Sequence, residues 1–210
     1  MKIKLEKASK RFQCDWIFKD ISLEIAPFSH WAITGSNGSG KSTFLKCLSG
    51  LQPLTEGKIT YFFEEKEVSD ADIFLHLVMS APYMELPEEF SLLELMNFHF
   101  NFKSPKESLS IEDMMDIMYL KEHRNKPVFQ FSSGMKQRLK LGLCFFSKVN
   151  LILLDEPTSN LDKKGIDWYL HLVKEFSKDK TLFVCSNDPK EYDFCPNQIH
   201  IEDFKLKNRL

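Results

Sequence analysis

Residues Gly35 to Ser42 read GSNGSGKS, which fills the pattern G-x-x-x-x-G-K-[ST], each fixed position of which has a task in holding a polyphosphate. Glycines (Gly35, Gly38, Gly40) let the chain turn tightly enough for the backbone N–H groups of the loop, those of Ser36, Asn37 and Ser39 included, to point at phosphate oxygens. The following helix, opening at Thr43 and Phe44, directs its positive end at the same anion. Lys41 supplies a point charge for the outer phosphates, and the Ser42 hydroxyl is an oxygen ligand for Mg²⁺. A second chemistry-bearing stretch, Leu151 to Pro157, reads LILLDEP. Four apolar residues end in two adjacent carboxylates, and strand alternation predicts that the two point in different directions. Asp155 is thereby a candidate to stand behind Mg²⁺, and Glu156 a candidate to polarise a water attacking the outermost phosphate. A third stretch, residues 131 to 138, reads FSSGMKQR. The Ser132 hydroxyl and the N–H groups near Gly134 stand at the predicted positive end of a helix running to Ser147, where phosphate can also bind. Taken alone, SSG is equally a helix cap, the commoner use of such residues.

These groups need a rigid frame. His30–Thr34 (HWAIT), Leu151–Leu154 (LILL) and Thr181–Cys185 (TLFVC) are short apolar runs ended by polar or glycine turns, as expected of central strands of a parallel sheet buried on both faces. Leu139, Gly142, Leu143 and Phe146 recur at helical spacing, as do Ile166, Tyr169, Leu170 and Val173, so two amphipathic helices are predicted to cover that sheet. Near the N-terminus, Ile3–Leu5, Ile21–Ile25 and Ile59–Phe63 read as strands with little helical pattern between the first two, which points to an antiparallel layer beside the main sheet. Between residues 85 and 135, Ser91 with Glu94 and Ser110 with Asp113 form capping boxes before apolar helical stretches, predicting a helical insertion. The Phe and Met side chains there (Phe98, Phe100, Phe102, Met114, Met115, Met118) are expected to fill core rather than to form a docking face.

With 210 residues, 43% hydrophobic and 28% charged, the chain has the composition of one globular domain, of a size that buries roughly 70% of its unfolded surface. Its 28 basic and 30 acidic residues leave a formal net charge of −2, without the basic excess that nucleic-acid binding requires, so no nucleic-acid partner is expected. Cys14, Cys47, Cys144, Cys185 and Cys195 show no metal-binding spacing, and the odd count predicts reduced thiols and a cytoplasmic setting. The start, MKIKLEKASKRF, lacks the apolar run of a secretory signal, and nowhere do 18 apolar residues stand together.

Taken in order, GSNGSGKST, FSSGMKQR, LILLDEP and SNLD (Ser159 to Asp162) resemble the Walker A loop, signature motif, Walker B strand and D-loop of the nucleotide-binding subunits of ABC transporters, over nearly the whole chain. The resemblance implies an α/β fold of the P-loop NTPase type, with a RecA-like parallel sheet core, an antiparallel β layer and an inserted helical subdomain at about 85–147, all in one ABC ATPase domain spanning 1–210. It implies ATP and Mg²⁺ as cofactors. A second ABC ATPase subunit, identical or different, would present its Ser132 and Gly134 to the ATP held by the first, and a membrane-spanning permease subunit would hold the pair at the inner face of the membrane. Phe12 is similar to the aromatic that stacks on adenine in this family, with Trp16 as its rival. The chain departs from the pattern in places: Met135 replaces a glutamine and Ser133 a glycine, Ser80 or Ala81 stands where a Mg²⁺-contacting glutamine is usual, and Asn187 stands where a histidine contacts the γ-phosphate. These departures leave open a cassette that acts on a soluble protein partner, and one that binds nucleotide with little turnover.

Overall fold

The computed structural model describes residues 1–205. At its centre, the LILL run is extended by one residue into strand β7 (Leu151–Asp155), buried at every position, and β8 (Thr181–Cys185) is equally buried. A strand so placed has an apolar neighbour on both faces. Leu151 and Leu153 pack with Phe183 and Cys185 on one face, while Ile152 and Leu154 pack with Leu182 and Val184 on the other. With β3 (His30–Thr34), β6 (Leu77–Ser80) and β9 (Asn197–His200) they form a five-stranded sheet in the order β6-β7-β8-β3-β9, and every pair in it is parallel.

A second, four-stranded sheet has the order β2-β1-β4-β5, built from β1 (Lys2–Phe12), β2 (Asp15–Ile25), β4 (Glu56–Phe63) and β5 (Lys66–Val68), all pairs antiparallel. Helix α1 (Lys41–Leu48) joins the two sheets. Its Phe44, Leu45 and Leu48 are fully buried in one cluster with Ile3, Ile21 and Ile25 of the antiparallel sheet and Leu153 and Phe183 of the parallel one. Burying each such side chain favours the fold by about 1.5–3 kcal/mol. Phe18 meets Phe44 edge-on at 5.3 Å, and the Tyr61 hydroxyl donates to the Leu48 carbonyl at 2.9 Å, satisfying a group that the end of α1 leaves without a helical partner.

A short α2 (Ile73–His76) precedes β6, and between β6 and β7 the chain forms α3 (Leu92–Phe102), α4 (Ile111–Ile117) and α5 (Ser133–Phe146). Both capping boxes form, Ser91 with Glu94 and Ser110 with Asp113. The Phe and Met residues divide: Met114, Met115 and Met118 are fully buried, whereas Phe98 and Phe102 are exposed and meet edge-on at 5.1 Å. Core filling is thus correct for the methionines and for Phe100, which is half-buried against the same cluster, but not for Phe98 and Phe102.

Helix α6 (Lys163–Phe176) buries Gly165, Trp168, Tyr169, Leu172 and Val173, so the expected stripe is rotated by about one residue and Leu170 faces outward. The polar ends of two rings set this rotation. Trp168 Nε1 donates to the Ile117 carbonyl at 2.7 Å and the Tyr169 hydroxyl to that of Glu191 at 2.9 Å, which a buried Trp or Tyr requires. The periodicity also misses β6 and β9. DIFLHLVMS runs α2 into β6 with no breaking residue, and β9 alternates burial on the sheet edge.

Candidate functional site

In an open parallel sheet, ligands bind in the crevice beyond the carboxyl ends of the strands. The register brings Asp155 opposite Cys185, Ile33 opposite Cys185, and Ser80 opposite Leu154. The ends of β3, β6, β7 and β8 therefore open on one place.

The loop after β3 is shaped for an anion. Gly35, Gly38 and Gly40 all have positive φ, and at Gly40 (φ 113°) a Cβ would stand 2.3 Å from Ile17 Cγ2, so a side chain there fails on both backbone and space. Lys41 is buried, and its ammonium donates to the carbonyls of Gly35 at 2.8 Å and Ser36 at 3.1 Å, which ties it across the loop. Ser39 is buried and its hydroxyl has no partner among the described residues. Thr43 follows Ser42 in the first turn of α1.

Asp155 ends β7 and is 3% exposed. Burial pushes its carboxyl upward, and the Glu156 charge adds to this, while a hydrogen bond from Ser42 and the Lys41 and Lys46 charges act in the other direction. Glu156 is exposed and has φ 45°. Its divergence from Asp155 comes from this left-handed turn, not from strand alternation, because β7 has already ended. A non-glycine residue held there costs on the order of 1–3 kcal/mol and persists only where its surroundings enforce it. Glu156 N donates to the Cys185 carbonyl at 2.9 Å and Ser159 N to the Glu156 carbonyl at 3.1 Å.

Glu156, Asn37, Thr158, Ser159, Asn187 and Glu191 line one cavity of about 310 Å³. Across it the Asn187 side-chain amide donates to Asn37 Oδ1 at 2.6 Å, linking the segment after β8 to the glycine-rich loop. An asparagine amide can donate in this way but cannot become cationic near neutral pH, whereas histidine can do both. Asn187→His is expected to raise kcat for ATP hydrolysis with little change in KM, because the added interaction strengthens as charge redistributes in the transition state. Steady-state kinetics checks this, and an unchanged or lower kcat refutes it.

Other expected positions lie elsewhere. Phe12, at the end of β1, is 44% exposed with Lys10 Nζ 5.0 Å from its ring centroid. Trp16, paired with Arg11 across the hairpin, is already covered by cations, Arg11 at 5.2 Å and Lys19 at 4.9 Å. Ser132 caps α5, accepting from Met135 N at 3.2 Å, and a Cβ on Gly134 would stand 3.1 Å from the Asn160 carbonyl oxygen. Among the described residues neither shares a hydrogen bond with the glycine-rich loop; Gly134 lies against the turn after Glu156, to which Gln137 also binds through the Pro157 carbonyl at 2.6 Å. Ser80 and Ala81 are buried.

Three residues at this site escaped the sequence reading. Tyr83 places its ring 3.9 Å from Lys46 Nζ, and its phenol is pushed well up by burial and by the charge of the neighbouring Asp155. Glu202 accepts from the Ser36 hydroxyl and from Ser36 N at 3.4 Å, and these bonds hold its carboxyl below the usual range. Glu191 binds Thr158. None belongs to a local motif that marks it.

Comparison with known proteins places the chain among relatives of one family. The family model described as ABC transporter matches residues 18–159. The arginine transport ATP-binding protein ArtM of Bacillus subtilis is 30% identical, over 98% of this chain and 99% of its own length. The lantibiotic transport ATP-binding protein SrtF of Streptococcus pyogenes is 29% identical, over 96% of this chain and 84% of its own. Against the ABC transporter ATP-binding protein YcbN of Bacillus subtilis the match is 28% identical and spans 59% of that protein. Among solved structures, the ATP-binding cassette MJ0796, a dimer in a post-hydrolysis state bound to ADP and Pi, superposes with a TM-score of 0.82 over 98% of this chain and 96% of that one, at 22% identity.

Proposed function

This chain belongs to the ABC transporter family, and from that premise we propose that it is the ATP-hydrolysing subunit that drives a separate membrane-spanning subunit, with ATP held between paired cassettes. As a member of this family the chain is an ATP-binding ATPase of the ABC type; its cargo is not carried over from relatives named for arginine or lantibiotics. The observation that carries the paired arrangement is that Ser132 and Gly134 open α5 beside Asn160 while Lys41 is tied into its own loop. One chain thus presents two separate phosphate-competent surfaces, and a head-to-tail pair brings them together.

Mg²⁺ fits the donors present. Ser42 and Asp155 offer hard oxygens, and Mg²⁺ bound to a nucleotide usually takes only one or two carboxylates beside the phosphates. No cluster of three or more His, Cys, Asp or Glu side chains suited to a metal exists among the described residues. Ser42 and Asp155 would hold the cation, which would supply neutralisation of phosphate charge, and Glu156 would orient and polarise the attacking water.

No helix among the described residues is long and apolar enough to cross a membrane, and the transport reading pairs the chain with a membrane-spanning partner. A groove of about 380 Å³ between the sheet core and α3 suits one. Leu51, Phe74, Met79, Met84, Leu86 and Leu143 line it, with Glu85, Lys103 and Lys140 among them, and Leu51 and Phe74 are 64% and 58% exposed. An apolar floor with charges of both signs matches a short amphipathic helix projecting from a membrane protein. A photo-crosslinking residue at Phe74 is expected to trap an integral membrane protein in native membranes, while one at Phe28, in a different pocket, is not. Trapping only a water-soluble protein at Phe74 would replace the transport reading.

A further inference from the structure

Glu191 is 4% exposed, yet the roles given to Glu156 and Asn187 leave it unused. It ends the single turn Pro189–Glu191, held at one end by Asp188, whose side chain accepts from Lys190 N at 3.0 Å, and at the other by the Tyr169 hydroxyl on the Glu191 carbonyl at 2.9 Å. From this anchored position Oε1 accepts two bonds from Thr158, from its N–H at 2.8 Å and from its hydroxyl. Oε2 is buried with no partner among the described residues, and so is the Ser159 hydroxyl. An apolar side chain would fill such a place without the desolvation cost of a half-paired carboxylate. What the carboxylate supplies is a tie between two short segments, one carrying Glu156 two residues before Thr158 and the other carrying Asn187 four residues before Glu191. The turn it holds is the strained one, with Glu156 at φ 45°.

We propose that Glu191 is a positioning residue for ATP hydrolysis, a buried clamp that fixes the Pro157–Asn160 turn to the Asn187 segment and so sets the place of the Glu156 carboxylate. It acts on Glu156 through its two bonds to Thr158. The inference rests on the reading of Glu156 as the group that polarises the attacking water.

Glu191→Ala, Glu191→Gln, Thr158→Ala and the Thr158→Ala/Glu191→Ala pair test it, each measured for ATP affinity by calorimetry, for kcat and for melting temperature. Affinity is expected to stay within about twofold, because the glycine-rich loop is untouched, while kcat falls on the order of 10- to 100-fold in Glu191→Ala, the scale of a small misplacement of a reacting group. Glu191→Gln keeps an acceptor oxygen for Thr158 and is expected to recover part of the rate. Removing Thr158 from the Glu191→Ala background should cost little more, since the bond is already lost. A folded Glu191→Ala protein with kcat within twofold of the native value overturns the proposal. So does a parallel fall of affinity and kcat, or full additivity of the pair. If Glu191→Ala does not fold, Glu191→Gln decides, and a native rate combined with additivity towards Thr158→Ala overturns the clamp. Glu156→Gln assayed alongside separates the two readings: if it keeps full turnover, the role of Glu156 fails, and if it is inactive while the Glu191 variants are not, the clamp alone fails.

Discussion

Glu156→Gln is expected to lower ATP turnover by roughly 10²- to 10⁴-fold, the contribution usual for a positioned general base, while ATP binding survives. The carboxylate is exposed at the mouth of the cavity that Asn37 and Asn187 also line, and glutamine keeps its shape while removing the charge that polarises water. Nothing that holds the loop at 35–42 is altered, since the bonds around it come from Lys41, Asn187 and Glu202. With binding intact and hydrolysis blocked, ATP should accumulate between two chains, and size-exclusion chromatography of Glu156→Gln with ATP should show a dimer that the same protein with ADP does not. Adding Ser132→Arg places a bulky cation where α5 opens and should dissolve that dimer. Undiminished turnover without an ATP-dependent dimer would remove both Glu156 and the paired arrangement from the mechanism.

Lys41→Ala is expected to weaken ATP binding by about 10- to 100-fold, as the loss of a hydrogen bond to a charged group of about 1.5–3 kcal/mol implies. The side chain also holds the Gly35 and Ser36 carbonyls, so alanine removes the phosphate-facing charge and a brace of the loop together. Triphosphate should suffer more than monophosphate, because the outer phosphates lose their counter-charge. Calorimetry with ATP and AMP measures both, and unchanged ATP affinity would move the nucleotide away from this loop.

The layout of the sheets was legible because strands and caps are written in neighbouring residues. HWAIT, LILL and TLFVC became strands of a parallel sheet since each is apolar on both faces, and the two capping boxes formed because all their atoms lie within four residues. Legibility failed where a pattern had two physical solutions. Helix α6 has two apolar stripes, and only the hydrogen bonds of Trp168 and Tyr169 choose between them. On α3, spacing could not distinguish Phe98 and Phe102, left exposed, from residues that face the core.

The candidate site divides in the same way. The tight loop at 35–42 and the cap at Ser132 are contiguous motifs that form where their residue types and spacing predict, while the carboxylates at 155 and 156 stand at the predicted strand end but diverge through the left-handed turn at Glu156. Their mutual arrangement is another matter. Asn187 reaches Asn37 across 150 residues, Glu202 reaches Ser36 across 166, and Glu191 reaches Thr158 across 33. Parallel strands joined by long crossovers return every strand's carboxyl end to one crevice, so the groups that meet there are selected by strand order and register. A side chain's type says that it can donate or accept a hydrogen bond; which partner it finds is decided by the β6-β7-β8-β3-β9 order, which appears only when the chain has folded.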